Sequence, residues 1–234
     1  DDFMESEPVS EITDFDIVTF LADPLPSWTM PDVDLKIRLD ADTINWDGTD
    51  LTEASSEITT SDGAIHLDNL SVRVFDGKVL GSLSVEPVGD ATHAIASLDI
   101  REINADNVFR MTGIAEEAEG QLELLLEVDT SGTSPGGLLG ALDGTMLVKR
   151  GEGWMKSGAI EILNEDLFSA LLGSTGRIPV RCTVIDLAFA VGKGTFGESF
   201  VALENVVLGI VGSLDLGTMT VSAEVIPKSL DGTF

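Results

Sequence analysis

The segment Gly192 to Gly197, with the sequence GKGTFG, is the motif in this chain that points most directly to chemistry. It matches the G-x-G-x-x-G dinucleotide fingerprint and has Asp215 about 20 residues further on, where the fingerprint places an acidic residue. The fingerprint also needs a helix N-terminus after the glycines, whereas Ser199 to Val211 is rich in valine and typical of strands. The residues after Asp215 are too few for a further βαβ unit of about 30 residues. The segment therefore predicts a glycine-rich hairpin turn.

A calcium loop of the EF-hand type is a second possibility, because Asn45, Asp47 and Gly48 fall where such a loop has two oxygen ligands and its invariant glycine. The first and last ligands of that loop would be Thr43 and Ala54, and neither residue carries a carboxylate. We therefore expect a tight turn closed by Asp47 and Gly48 in place of a calcium site.

The residues that most often ligate transition metals or act as nucleophiles are rare in this chain, which has His66, His93 and Cys182 as its only histidines and cysteine. None of them has a second histidine or cysteine at the spacing of a zinc site. We expect both histidines at solvent-facing strand positions and Cys182 as a small apolar residue. No pair of carboxylates stands out among 41 acidic residues. The sequence thus predicts a protein that is not an enzyme, with no catalytic residue, metal or cofactor.

The three tryptophans, Trp28, Trp46 and Trp154, lie near predicted turns. Packing at strand ends explains all three, and stacking against a sugar ring is the alternative function of an exposed indole. Trp46, beside an acidic turn, is the residue that would test the sugar-binding alternative.

The charge balance excludes some partners, because 41 acidic and 13 basic residues give a net charge of -28. Such a surface repels nucleic acid and anionic lipid headgroups, so nucleic-acid binding and electrostatic membrane docking are not expected. No run reaches the roughly 18 apolar residues of a membrane span. The chain begins at Asp1, and we expect a soluble piece of a longer protein with any anchor upstream.

The elements that position these residues are predicted from short runs in which apolar and polar residues alternate, the pattern of strands with one apolar face. Leu122 to Val128 is the clearest run, alternating leucine with Gln121, Glu123 and Glu127. The fold class expected is all-β, an antiparallel sheet with one or two short helices. The apolar positions of the three clearest runs are Val33, Leu35, Ile37, Leu39, Leu122, Leu124, Leu126, Val128, Met219, Val221 and Val225.

Asp-Gly pairs between these runs predict tight hairpin turns at Asp47-Gly48, Asp62-Gly63, Asp76-Gly77 and Asp143-Gly144. The alternation also slips near Asn69, which predicts a β-bulge or a break there.

Helices are predicted at Asn104 to Met111 and, with Asn164 as N-cap, at Asn164 to Leu172. The glycine-rich segment Gly132 to Gly140 predicts a loop with a short helical turn, and it is the place expected for an internal boundary. Residues 1–30 are acidic and contain prolines, which favours a lead-in or linker.

Two blocks of the sequence resemble the AsmA-like family. The first, residues 31–158, contains a decorated strand, the hairpin GKVLGSLSV, a brief helix and the strand GQLELLLEVDTSGTS before an L-x-G turn. The second, within residues 159–234, is similar to the C-terminal signature of that family, with a Cys-containing strand, a glycine turn and the ending GSLDLGTMTVSAEVIPK. We expect the second block to continue the sheet of the first.

The resemblance implies a periplasmic protein of a Gram-negative envelope, attached to the inner membrane by an upstream anchor. Its curved sheet would form an apolar groove that binds phospholipid acyl chains and supports phospholipid transport to the outer membrane and assembly of that membrane, with other envelope proteins as partners. About 14 strands stacked at about 4.8 Å would give a groove roughly 65 Å long. The apolar positions of the three clearest runs would then face lipid.

A structural or protein-binding β scaffold is the alternative, with the apolar face filled by the side chains of the protein itself. A carbohydrate-binding β domain is a third class. Leucine and valine serve equally well in a core and in a lipid-lined groove, so the sequence leaves the first two open.

Overall fold

In the part of the chain that the structure describes, the fold is one large antiparallel β-sheet of thirteen strands with three short helices, and this confirms the all-β class. The computed structural model describes residues 17–26, 34–46, 48–61, 63–111, 119–156 and 177–230. The helices are α1 (Ile17–Ala22), α2 (Ala105–Met111) and α3 (Pro135–Gly140). The strands are β1 (Leu35–Trp46), β2 (Thr49–Ser61), β3 (Ala64–Val74), β4 (Gly77–Val88), β5 (Ala91–Asn104), β6 (Gln121–Gly132), β7 (Asp143–Arg150), β8 (Gly153–Lys156), β9 (Arg177–Ala190), β10 (Lys193–Phe196), β11 (Ser199–Leu203), β12 (Val206–Asp215) and β13 (Thr220–Ser229).

The strands from β1 to β7 follow one another in the sheet in chain order, each paired antiparallel with the next. β7 then pairs with β9, so the sheet continues from the first sequence block, residues 31–158, into the second. The arrangement changes beyond β9, which pairs with both β10 and β11, while β12 pairs with β10, β11 and β13. The short strand β8 pairs with the first part of β9.

The two faces of the sheet differ in exposure, and β6 shows this most clearly. Its alternate residues Leu122, Leu124, Leu126 and Val128 are half-buried, while the residues between them are exposed. The leucine side is therefore the less accessible side of β6. We call it the inner face and the opposite side the outer face.

The buried core is small and lies on the inner face near the C-terminal end of the chain. It consists of Ile178, Val180, Leu203, Val206 and Leu208, with Val201 and Val225 packed against it. These residues come from β9, β11, β12 and β13, and Val180 and Leu203 are register partners.

The hairpin turns match the Asp-Gly pairs only in part. Gly48 and Gly63 have positive φ at the connections of β1 to β2 and of β2 to β3, as predicted. Between β3 and β4, Phe75 and Asp76 have the positive φ values and Gly77 begins the strand, so the predicted Asp76-Gly77 turn was wrong by one residue.

The predicted turn at Asp143-Gly144 was wrong, because both residues lie in β7. Gly144 is the register partner of Val128 on one side and of Phe189 on the other. A side chain at Gly144 would collide with the backbone of Glu127, so glycine allows β6 and β7 to approach closely here.

The slip in the alternation near Asn69 is a bulge, as predicted. The register between β3 and β4 shifts between Leu67 and Leu70, and Asn69 has a φ of 53°. The bulge keeps Leu67 and Leu70 on the same face of the sheet.

The helices lie at the ends of the strands. α2 confirms the predicted helix after Asn104, whose side-chain oxygen accepts a hydrogen bond of 3.0 Å from the backbone N–H of Asp106. α3 confirms the helical turn before Gly140, and Ser134 caps it by accepting from the N–H of Gly137 at 3.0 Å. The helix predicted at Asn164 to Leu172 lies outside the described residues.

Candidate functional site: the inner face of the sheet

An uninterrupted row of apolar residues crosses the inner face. Each member is the cross-strand partner of the next, so all of them must point to the same side of the sheet. The row contains only aliphatic, aromatic and glycine residues. From β1 to β13 its members are Ile37, Ile58, Leu67, Leu83, Ala96, Val128, Gly144, Phe189, Gly194, Leu214 and Val221. We call it the central row.

The central row has a parallel neighbour that is equally apolar. The neighbouring row runs from β3 to β9 and consists of Val72, Val79, Ile100, Leu124, Val148 and Ile185. The inner face is therefore a broad apolar surface, wide in the direction of the strands as well as long across them.

The outer face has a different composition along the matching path. Its corresponding row, from β4 to β13, is polar at every member but one: Ser82, Ser97, Glu127, Thr145, Ala188, Thr195, Ser213 and Ser222. The acidic surplus of the chain can be solvated on this side while the inner face remains apolar.

The inner face is open in both edge strands, and Val221 of β13 is 69% exposed. The relative exposure of Leu35 is 49%, that of Ile37 is 40% and that of Leu39 is 49%. Leu83 in β4 is still 39% exposed. No described element packs over these side chains, so a large aliphatic surface faces solvent.

The positions predicted to contact lipid share the inner face in all three strands that carry them. Leu35, Ile37 and Leu39 lie on it in β1, and Val221 and Val225 lie on it in β13. In β6 the inner-face residues are Leu122, Leu124, Leu126 and Val128. Two members of the prediction stand apart. Met219 is in the turn before β13 with a φ of 52°, so its assignment to the strand was wrong, and Val33 lies outside the described residues.

Polar groups limit the inner face at one end of the strands, which we call the lower rim and define by Asn104, Gln121 and Arg150. The guanidinium of Arg150 is buried, with only 7% of the residue exposed, and burial lowers its pKa below the ordinary arginine value. Its Nη2 donates at 2.7 Å to the carbonyl oxygens of both Glu119 and Trp154. Arg150 therefore ties the start of β6 and the strand β8 to β7.

A cavity of about 810 Å³ opens beside this rim. Four carboxylate residues and an indole line it, and the indole N–H of Trp154 donates to the carboxylate of Glu119. Trp154 is thus held at a strand end, as predicted. Asp76, Glu102 and Glu152 supply the remaining carboxylates of the lining.

The outer face carries an ionic arrangement that sequence analysis missed. His93 in β5 contacts Glu86 in β4 through Nδ1 at 2.8 Å and Asp129 in β6 through Nε2 at 2.7 Å. The hydrogen bond to Glu86, followed by that to Asp129, raises the pKa of the imidazole. His93 lies on the solvent-facing side of the sheet, with 24% of its side chain exposed between the two carboxylates. The partners lie 7 and 36 residues away in sequence, and only strand register brings the second close.

His66 is also partly buried, and its Nδ1 is 3.0 Å from the hydroxyl of Ser84. The two residues are register partners on the outer face of β3 and β4. Cys182 is half-buried in β9.

The GKGTFG segment forms a β-hairpin, as predicted. Val191 and Gly192 have positive φ values of 50° and 69°, and the strand that follows, β10, pairs antiparallel with β9. A side chain at Gly194 would collide with Phe189 and Leu214 on the inner face. The glycines thus serve packing, and no helix follows them to receive a pyrophosphate.

The NWDG segment joins β1 to β2, with Trp46 and Thr49 as register partners across the turn. Asn45 uses its side-chain amide to donate to Asp50 at 2.7 Å. Trp46 is 67% exposed.

Within the described ranges, no three His, Cys, Asp or Glu side chains are grouped so as to hold a metal ion. No helix among the described residues has the length and hydropathy to cross a membrane. Comparisons with protein-family models, curated proteins and solved structures find no match to this chain.

Proposed function

We propose that the inner face binds phospholipid acyl chains and that the protein is a lipid-binding or lipid-transferring β groove. In this proposal it is a periplasmic, AsmA-like part of a Gram-negative envelope protein. It is joined to the inner membrane upstream, and with other envelope proteins it supports phospholipid transport to the outer membrane and assembly of that membrane. It is not an enzyme.

The observation that carries the proposal is the central row from Ile37 to Val221. Its eleven members span ten inter-strand intervals, which at about 4.8 Å each give roughly 48 Å. One leaflet of a bilayer has a hydrocarbon thickness of about 15 Å. The row is therefore long enough for acyl chains to lie along it, although shorter than the 65 Å expected from 14 strands.

The chemistry of the surface fits an acyl chain better than a specific polar ligand. Its side chains are aliphatic, with no hydrogen-bonding group along the central row, so the attraction is non-directional and proportional to the area covered. A flexible hydrocarbon can follow the curve of such a sheet and slide along it, which a transfer groove requires.

The charge distribution is compatible with the same role. With a net charge of -28, the protein is not held by an anionic membrane surface. Lipid would reach the inner face as an inserted hydrocarbon chain, and the polar outer face would keep the loaded protein in solution.

The experiment is lipid extraction and native mass spectrometry of the protein purified from cells. The proposal expects phospholipid masses bound at a stoichiometry that rises with the supply of lipid. Protein that carries no lipid from cells, and gains none from phospholipid vesicles, would contradict it.

The second candidate is a structural or protein-binding scaffold whose inner face is filled by its own side chains. The buried cluster around Leu203 and Leu208 favours this reading for the C-terminal strands. If the cluster is representative of the whole inner face in solution, purified protein will be free of lipid and will bind envelope proteins instead.

A further inference from the structure

We infer that two copies of this chain associate through the free edge of β1, so that two sheets become one with a continuous inner face. This inference concerns the edge of the sheet and holds whether or not the inner face carries lipid. Within the described residues, β1 pairs with β2 alone, so the backbone groups on its other side are open to a new strand.

The two edges of the sheet differ in their protection against pairing. β13, at the other edge, contains Pro227, and proline commonly discourages strand addition. β1 is twelve residues long and contains no proline. It also presents Leu35, Ile37 and Leu39 at 40–49% exposure. An edge that is long, regular and apolar on one face is suited to strand pairing.

The charges of β1 favour a second copy as the partner. The protein as a whole carries -28, yet the four charged residues of β1 cancel, since Lys36 and Arg38 balance Asp40 and Asp42. A neutral edge on a strongly acidic protein permits close approach of two copies, where most other parts of the surface would repel.

The order of those charges selects one register. When Leu39 lies opposite Leu39 of the partner subunit in an antiparallel pair, Arg38 lies opposite Asp40 of the partner subunit, and Lys36 lies opposite Asp42 of the partner subunit. Each of these contacts occurs twice by symmetry. Cross-strand pairs of opposite charge stabilise a sheet.

Neighbouring registers are unfavourable. A shift by two positions in one direction places Arg38 opposite Arg38 of the partner subunit, and a shift in the other direction places Asp40 opposite Asp40 of the partner subunit. Each arrangement brings like charges together and has two contacts of opposite charge where the selected register has four. A shift by one position would set the apolar side of one strand against the charged side of the other.

The selected register also aligns the inner faces. A two-fold axis perpendicular to the sheet between antiparallel strands leaves corresponding faces on the same side. Ile37 then lies opposite Ala41 of the partner subunit, next to the leucine pair. The central rows of the two copies would form one apolar path, with the protected β13 edges at its two ends.

Charge reversal in the full chain tests the register. Within one chain, Nε of Arg38 donates to Asp40 at 2.8 Å in an exposed ion pair, so neither side chain supports the core. Arg38→Asp and Asp40→Arg, each alone, should raise the dimer dissociation constant about tenfold in sedimentation equilibrium, since each places like charges opposite in two symmetric contacts. The double variant Arg38→Asp/Asp40→Arg should restore association to near the wild-type value.

A disulfide test reports the geometry independently. In a Cys182→Ser background, Leu39→Cys should form a covalent dimer under mild oxidation, because opposed residues in an antiparallel pair have Cα atoms about 4.5–5.5 Å apart. Val221→Cys, an exposed residue of the other edge strand, is the control and should remain monomeric. Wild-type protein that stays monomeric at high concentration, or single and double charge variants that associate equally, would overturn the inference.

Discussion

The inner faces of β1 and of the strands β11 and β12 have the same kind of residues and opposite accessibility. Leu35 and Leu39 are each 49% exposed in β1, whereas Leu203 is 3% and Leu208 4% exposed in β11 and β12. β1 belongs to a single layer of strands paired in chain order. β10 and β11 lie one after the other between β9 and β12, and Leu203 of β11 is the register partner of Val180 of β9. Residues of the same kind thus form a core in one part of the inner face and an open surface in another.

The largest expected effect comes from placing a carboxylate in the closed region. Leu203→Asp buries an unpaired charge among Ile178, Val180 and Leu208, so the free energy of unfolding should fall by about 3–5 kcal/mol. Urea denaturation followed by circular dichroism measures this change.

The matched variant in the open region is Leu39→Asp, where water already reaches the side chain. Its free energy of unfolding should fall by less than about 1 kcal/mol. Equal losses for Leu39→Asp and Leu203→Asp would mean that the β1 end is closed in solution, and the comparison between the two regions would fail.

Arg150 lies at the lower rim between the two regions. Its replacement should have an effect on stability smaller than that of Leu203→Asp and larger than that of Leu39→Asp. Arg150→Ala leaves the carbonyl oxygens of Glu119 and Trp154 without their charged donor, which should cost about 2–3 kcal/mol of unfolding free energy. Arg150→Lys keeps the charge but loses the planar fork, so it should recover only part of that loss. If Arg150→Ala is as stable as wild type, β8 does not depend on the hydrogen bonds that Arg150 donates.

The smallest effect concerns His93, which links three strands of the single-layered region. Because its folded pKa is raised, its contribution to stability is complete below the unfolded pKa of about 6.5 and is lost as pH rises through the folded pKa. His93→Gln should therefore lower the free energy of unfolding by less than about 1 kcal/mol. The loss should be present only at pH values below the raised folded pKa of His93. The free energy of unfolding in urea is measured for wild type and His93→Gln at pH values on both sides of about 6.5. The same pH dependence in both proteins would contradict the stabilising role of His93.

The alternating runs were sufficient to predict an all-β fold and the common face of Leu35 and Leu124, because alternation is a local property of the chain. The bulge at Asn69 and the hairpin at Gly192 were predictable for the same reason. The burial of Leu203 was not, since it depends on β9 pairing with β11 across an intervening hairpin. The same limit applies to the contact of His93 with Asp129, which joins residues 36 positions apart.

Asp143-Gly144 shows how local turn chemistry can mislead. The pair is a favourable hairpin signal, but α3 already makes the connection between β6 and β7. The glycine is needed for a different reason, the close approach of the Glu127 backbone. A sequence motif identifies a backbone requirement, and the reason for that requirement is visible only in the fold.

The central claim, that the inner face binds acyl chains, is tested most directly by two adjacent leucines of β6. Leu124 lies on the inner face between Ile100 and Val148, and Leu125 lies on the outer face with an exposure of 46%. Leu124→Asp and Leu125→Asp are compared with wild type for bound phospholipid by native mass spectrometry, after urea denaturation has shown that both variants fold. We predict that Leu124→Asp loses its lipid and Leu125→Asp retains it. Equal lipid retention by the two variants, or a wild type that binds no phospholipid, would contradict the account.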